Sequence, residues 1–236
     1  MRYFRYFPKL RYDLDDNKST REVIDVFRMS KVVSSITDDI SFYRSYTIQD
    51  GERPDHVSIN LYGTQEYYWT LFLVNENLKN AYEDWPRTVP EIEDYVSEKY
   101  PNEYFAYDDW DLHSKFTPGE TVIGLISGAT ATIVEKNTSL GWIRIKDREG
   151  TFTMGETIRA NTTLDTLTYQ GGGDFADAAH HYEYDGYIVP RDTPSAALVS
   201  NHDYEVVKNE ERREIRVIRP EFIGSIKRQF RDSING

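Results

Sequence analysis

The sequence predicts an α+β fold, and three observations carry that prediction. Residues 53–78 read as two short helices hinged at Gly63. Residues 115–173 turn to Gly, Thr and β-branched residues with an internal repeat, which predicts an inserted small antiparallel β-barrel or sandwich. The tail from Tyr204 predicts a β-hairpin followed by a terminal helix. The expected domains are residues 1–114, an N-terminal arm with the helix-pair domain; 115–173, the inserted module; and 174–236, a C-terminal return to the first domain. A chain of 236 residues can bury a substantial core.

The chain starts RYFRYFPKLRYDL, an extended aromatic and basic arm whose simplest form is an edge strand that tolerates Pro8. Between Glu22 and Phe42 the positions Val23, Val26, Phe27, Val32, Val33, Ile36 and Ile40 predict interrupted helical packing. Phe42 to Ile48 alternates as a strand and breaks at Asp50 and Gly51. In the helix pair, Asp55 is the expected cap of the first helix, which carries Val57, Ile59 and Leu61 and ends at Tyr62. Gly63 supplies the left-handed residue that closes it, and Thr64 can cap the next. The second helix is predicted from Gln65 to about Asn75, with Tyr68, Trp69, Leu71, Phe72 and Val74 covering most of its circumference. Such a helix is buried on several sides, by its own domain or by a neighbouring subunit. After Trp85 and Pro86, the spacing of Thr88 and Glu91 is that of a capping box, with Pro90 in the first turn. It opens a helix through Ile92, Tyr95 and Val96 that stops before Pro101. Glu103 to Tyr107 is a short strand.

In the predicted module, FTPGETV at 116–122 is echoed by FTMGETI at 152–158. Residues 127–134 and 141–146, between the copies, alternate as strands. Each Gly-Glu pair (Gly119 with Glu120, Gly155 with Glu156) is expected at a turn, with Phe116 or Phe152 before it pointing inward. Lys115 and a flexible run from Gln170 to Gly173 mark the module's edges. Beyond it, residues 204–218 read as two alternating strands around a turn at Asn209 and Glu210. Pro220 suits a first helical turn, and Phe222, Ile223, Ile226, Phe230 and Ile234 form one stripe of a terminal helix with Arg and Lys opposite.

The hydrophobic fraction is only 39%, but aromatics reach 14% with 18 Tyr and 4 Trp, residue types that fill contact surfaces while keeping a polar handle. A net charge of −12 argues against nucleic acid or an anionic membrane as the main partner. The charge is unevenly spread: Asp108, Asp109 and Asp111 cluster, whereas Arg212 to Arg231 is rich in Arg. The absence of cysteine excludes disulfides, thiolate zinc sites and Cys catalysis. No apolar run has the length of a membrane span and the N-terminus lacks a signal-peptide core, so a soluble protein is expected.

Few residues suggest chemistry. His180 and His181, with Asp174 and Asp177 nearby, are the best metal candidates, yet adjacent histidines point different ways and no second ligand pair has zinc spacing. Two exposed loop histidines are expected instead. Asp108, Asp109 and Asp111 share only acidity with a calcium loop, since the Gly and distal Glu are missing. With 40 acidic residues, carboxylate pairs arise by number alone. No nucleophile elbow, P-loop or dinucleotide fingerprint occurs, and Gly171 to Gly173 reads as a linker. No catalytic residue, cofactor or metal is expected.

The strand Tyr43–Ile48, the residues Gly51 to Pro54, the helices around Leu61, Tyr62 and Gly63, then Trp69 and Asn75 to Asn77 resemble a LysM-type motif, a β-α-α-β unit. A longer string is similar to the baseplate wedge subunit of large contractile-tailed phages known as wedge protein 53. It comprises Asp25 to Phe27, Tyr43 to Tyr46, Arg53 and Pro54, Leu61 to Gly63, Tyr68 and Trp69, Asn75 to Asn77, and Trp85 and Pro86. It continues with Asn209, Glu210, Arg213, Ile215, Val217, Ile218 and the terminal helix. The resemblance spans about residues 20–105 and 200–236. Residues 115–173 depart from it and are similar to small β modules repeated in phage structural proteins.

The resemblance implies a non-enzymatic part of the virion tail baseplate, assembled in the host cytoplasm. Six wedges close around a central hub, and this subunit helps tie adjacent wedges together; its partners are the other wedge subunits and the hub. Tyr3, Phe4, Tyr6, Phe7, Tyr62, Tyr68, Trp69, Phe72, Trp85, Phe222 and Phe230 are the expected partner-binding anchors, with rim charges from the Arg-rich terminal helix. The LysM resemblance carries a rival, a module that binds peptidoglycan-like N-acetylglucosamine polymers through a shallow groove. A hydrolase is a third class.

Overall fold

The computed structural model describes residues 7–13, 20–25, 40–78, 80, 83–107 and 115–235. In chain order the strands are β1 Lys9–Asp13, β2 Thr20–Ile24, β3 Tyr43–Thr47, β4 Glu103–Ala106, β5 Thr121–Gly124, β6 Thr130–Asn137 and β7 Trp142–Glu149. They continue with β8 Thr157–Ala160, β9 Thr166–Thr168, β10 Gly172–Asp174, β11 Ala179–Tyr184, β12 Tyr187–Val189, β13 Ala197–Ser200 and β14 Glu214–Ile218. The helices are α1 Pro54–Tyr62, α2 Trp69–Val74, α3 Val89–Lys99, α4 Asn201–Glu211 and α5 Ile223–Asn235. Two compact units emerge: residues 1–88 with 209–236, and residues 89–208.

In the first unit, β3 pairs antiparallel with β14, Tyr43 opposite Ile218 and Thr47 opposite Glu214. Val57 and Leu61 of α1 and Leu71 of α2 pack with Leu78 against Ile48, Ile215 and Val217. Each fully buried aliphatic side chain contributes about 1.5–3 kcal/mol. The helix termini follow from local chemistry. Gly63 has φ 71° and its N–H donates to the Ile59 carbonyl at 2.8 Å, which only a residue free of Cβ strain does cheaply. The Thr64 hydroxyl accepts from the Glu66 amide, as expected of a cap. Asp55 does not cap α1: the cap position is Arg53, without a side-chain bond, because Pro54 starts the helix and needs no N–H partner. The second helix is also shorter than expected. A 3₁₀ turn, Gln65–Tyr67, precedes α2, held by the buried Ser58 hydroxyl, which donates to the Thr64 carbonyl and accepts from the Tyr67 amide.

The N-terminal arm folds back as the β1–β2 hairpin, with Lys9 opposite Ile24 and Tyr12 opposite Arg21. Val23 therefore lies in a strand where helical packing was predicted, because β-branched Thr20, Val23 and Ile24 gain cross-strand partners there. The rest of that predicted helical stretch, residues 26–39, lies outside the described residues, as do Asp108, Asp109 and Asp111.

The predicted C-terminal hairpin is absent. Residues 201–211 form helix α4, and β14 pairs with β3 instead. The error has a physical cause. Asn201, Glu205 and Asn209, four residues apart, form a buried helical stripe that is polar, so apolar periodicity does not register it. The Ser200 hydroxyl accepts from the Asp203 amide at the helix start. The terminal helix α5 forms as predicted, with Ile226 buried beside Tyr43 and Ile218, and Phe222 and Ile223 packed alongside. The side chain of Ile234 lies outside the described residues.

In the second unit, seven strands form an antiparallel sheet in the order β10-β4-β7-β6-β5-β8-β9, curled as a half-barrel. Phe105, Phe116, Phe152, Val122, Ile133, Ile143, Ile145 and Ile158 fill its core. Phe116 and Phe152 point inward, and Gly119 and Gly155 turn with φ 87° and 80°, as the repeat predicts. The glycine run is not a linker: Gly172–Asp174 is the edge strand beside β4, and a Cβ on Gly172 would sit 2.1 Å from the Tyr104 carbonyl oxygen. A second sheet has the order β12-β11-β13.

The repeat is a symmetry of the backbone. With an offset of 36 residues (Phe116 to Phe152), the links between the copies recur with their ends exchanged, and links within a copy recur in the other. In the β5–β8 pairing Val122 opposes Ala160 and Gly124 opposes Ile158. The Leu125 amide donates to the Thr157 carbonyl and the Asn161 amide to the Thr121 carbonyl, both at 2.9 Å. Gly119 donates to Ile133 as Gly155 donates to Tyr169.

Candidate functional site

The expected aromatic anchors are packed within the first unit. Trp69 lies 4.2 Å, centroid to centroid, from Phe230, which also contacts Phe7 at 6.4 Å. Phe72 meets Trp85 at 5.7 Å, and the Trp85 indole N–H donates to the Glu52 carbonyl. Tyr62 lies edge-on to Tyr67, and its hydroxyl donates to the Ile218 carbonyl at 2.9 Å. Phe222 lies edge-on to Phe42. With Leu71 in the core and Val74 against the Tyr43 cluster, the sides of α2 are met by its own unit. Phe7 and Phe230 are buried; Tyr62, Tyr68, Trp69, Phe72, Trp85 and Phe222 are half-buried. Tyr3, Phe4 and Tyr6 lie outside the described residues.

Two asparagines that the sequence reading passed over as functional groups stitch this unit. Asn75 is buried; its amide donates to the Leu71 carbonyl at 2.7 Å and the Arg216 carbonyl at 2.8 Å, and its oxygen accepts from the Arg216 amide at 2.8 Å. Both ends of the side chain are thus spent on backbone. Asn209 does the same for Arg87, accepting its N–H at 2.8 Å and donating to its carbonyl at 3.0 Å. Beside Asn75 opens a polar cleft of about 420 Å³, lined by Ser45, Glu76, Asn77, Glu214 and Arg216.

In the second unit the two histidines are not exposed loop residues. They lie on β11, His181 buried and His180 stacked on Tyr204 at 3.8 Å, since each covers aromatic or core surface there. His180 and His181 approach through their Nδ1 atoms at 2.9 Å, and His181 Nε2 meets Glu183 at 2.8 Å. Burial, then the neighbouring His181, push the His180 pKa down. Glu205 is buried and accepts from Lys99 at 2.8 Å and Tyr100 at 2.9 Å, so its carboxylate holds a charge against burial. Burial, then that Glu205 bond, push Tyr100 up to about 12. Among the described residues, no three His, Asp or Glu converge as a metal site.

The repeated glutamates prove to be buried clamps. Glu156 accepts from the Ile126 and Ser127 amides at 2.9 and 3.0 Å, the Ser127 hydroxyl at 2.8 Å and the Thr153 amide at 2.6 Å. Glu120 accepts from the Thr162 and Thr163 amides at 2.7 and 2.6 Å, the Thr163 hydroxyl at 3.2 Å and the Thr117 amide at 3.3 Å. Each repeat therefore pins the turn of the other through equivalent atoms. Burial works to raise the Glu156 pKa, but the hydrogen bonds outweigh it and hold the carboxyl at about 2. The same balance lowers Glu120. The duplicated Thr-x-Gly-Glu was the signal available for these residues; it marked the turns without revealing that the carboxylates are buried.

The fold and its polar network define an α+β protein whose buried amides and carboxylates hold backbone. Residues 2–109 match the model of the base plate wedge protein 53 family, in agreement with the wedge resemblance over that stretch; the match does not extend to the LysM likeness. The proteins so described are structural parts of the phage baseplate, and the match covers a little under half of this chain. The similarity read in residues 200–236 lies beyond the matched stretch. A comparison with curated proteins returns no match. Among the described residues, no helix is long and apolar enough to cross a membrane.

Proposed function

We propose that this chain ties adjacent wedges of a contractile-tail baseplate together around the central hub, six copies per baseplate, joining during assembly in the host cytoplasm. The base plate wedge protein 53 match over residues 2–109 is the observation that carries this reading. Two short helices over a two-stranded antiparallel pair support a LysM-like unit, with the second strand supplied from residues 214–218 rather than directly after the helices. In this reading the unit serves protein contacts, since fold alone does not fix function. Tyr3, Phe4 and Tyr6, with the outer margins of Phe7, Tyr62, Tyr68, Trp69, Phe72, Trp85, Phe222 and Phe230, meet neighbouring subunits. Residues 115–173 are an addition to the wedge domain, and residues 209–236 return to the first unit.

Particles assembled in host cells without the chain should stop at unjoined wedges in negative-stain micrographs. Closed baseplates lacking it would overturn the proposal. The polar cleft beside Asn75 favours a second reading, carbohydrate binding. Asn75 weighs against it, because both of its N–H groups are already donated to backbone carbonyls. Saturable retention on insoluble peptidoglycan, lost in a folded Trp69→Ala variant, would favour the sugar reading.

A further inference from the structure

The two ends of the pseudo-symmetric module share one backbone design and differ in surface. At the end clamped by Glu156, the turn residues Leu125 and Ile126 sit beside Met154, because the same carboxylate holds the amides of Ile126, Ser127 and Thr153. Leu125, Ile126 and Met154 are 50%, 76% and 68% exposed. At the end clamped by Glu120, the equivalent positions are Asn161, Thr162 and Pro118. One large apolar residue, Leu164, is exposed there, in the place of Gly128. The polar end forms an equivalent turn with the same set of hydrogen bonds to its carboxylate, so the clamp does not call for Leu125, Ile126 or Met154.

We propose that the Leu125, Ile126 and Met154 tip is a docking knob that enters an uncharged apolar pocket on another protein of the baseplate. The inference rests on the baseplate reading. Area decides the occupant: three such side chains offer on the order of 350 Å² of apolar surface, under half of the roughly 800 Å² per partner that a stable free-standing pair buries. The knob thus needs a partner already held by other contacts, as within an assembly. Charge points the same way. The turn residues 125–128 and 153–155 carry no ionisable group, so the tip offers nothing for a charged pocket, while two copies at −12 each repel one another.

The test takes particles purified from infected cells that supply the tagged full chain. Leu125→Asn with Ile126→Thr transplants the residues of the polar end. This double variant should keep its melting temperature, yet enter particles about 10-fold less than wild type, the loss of one modest hot spot. A photoreactive phenylalanine at Ile126 should link to one other virion protein, and one at Thr162 should not. Equal incorporation of the variant, equal linking from both positions, or linking only between copies of this chain would overturn the knob alone. Absence of the wild-type chain from particles would overturn the baseplate reading as well.

Discussion

The two units solve one problem, holding irregular backbone inside a protein, with different chemistry. The first uses neutral amides that reach far along the chain: Asn75 binds Arg216 and Asn209 binds Arg87. The second uses ionised carboxylates across a shorter span, Glu120 to Thr162 and Thr163, and Glu156 to Ile126 and Ser127. An amide donates and accepts, so one side chain can satisfy both backbone groups of a single residue. A carboxylate only accepts, but it gathers several N–H groups and binds each more strongly. Turns rich in free N–H groups suit the carboxylate; a strand edge offering both N–H and C=O suits the amide. The difference teaches that the second unit should be sensitive to acid at its clamps, where the first is not.

The largest expected effect is Glu156→Ala, which strands three backbone amides and a hydroxyl. It should destabilise the second unit by about 3–5 kcal/mol in urea unfolding. Glu120→Ala should cost the same within about 1 kcal/mol; a much smaller cost would break the equivalence of the two ends. Next comes Asn75→Ala, which removes three bonds and should cost the first unit about 2–3 kcal/mol by the same measurement. A loss confined to the second unit would sink the division of labour drawn above.

Acid titration sharpens the contrast. Glu156 has its pKa lowered from 4.5 to about 2 on folding, so its contribution is complete above the unfolded value and is lost as pH falls through the folded one. The second unit's melting temperature should therefore drop between about pH 4.5 and 2, and Glu156→Gln should flatten that drop. Unchanged slopes in the variant would remove the carboxylate from the account. The smallest effect is expected at Leu164, exposed with φ 63° where its repeat partner Gly128 has φ 71°. Leu164→Gly relieves left-handed strain at the cost of chain entropy and should gain no more than about 0.5 kcal/mol in thermal melts.

Much of the fold was legible wherever apolar residues carry the signal. The β3 strand, Gly63 and α1, the helix from Val89 and the stripe of α5 were read correctly because local spacing and one required backbone conformation sufficed. Three elements were misread. Polar Asn201, Glu205 and Asn209 masked a buried helical face. Glu22 to Ile24 took strand geometry from the partner β1, and the glycine run became an edge strand because β4 approaches Gly172 too closely for a side chain. Trp69 and Phe230, 161 residues apart in the chain, become neighbours only after folding.

By itself the sequence determined the α+β class, the duplicated turns at Gly119 and Gly155, and the likeness to base plate wedge protein 53, since periodicity and spaced motifs are local properties of the chain. Tertiary structure alone decided that β14 completes the sheet with β3, that Glu120 and Glu156 clamp each other's repeats, and that the apolar second helix is covered by its own unit. Each depends on which distant backbone groups come within hydrogen-bonding or packing distance. Linear order does not encode that distance.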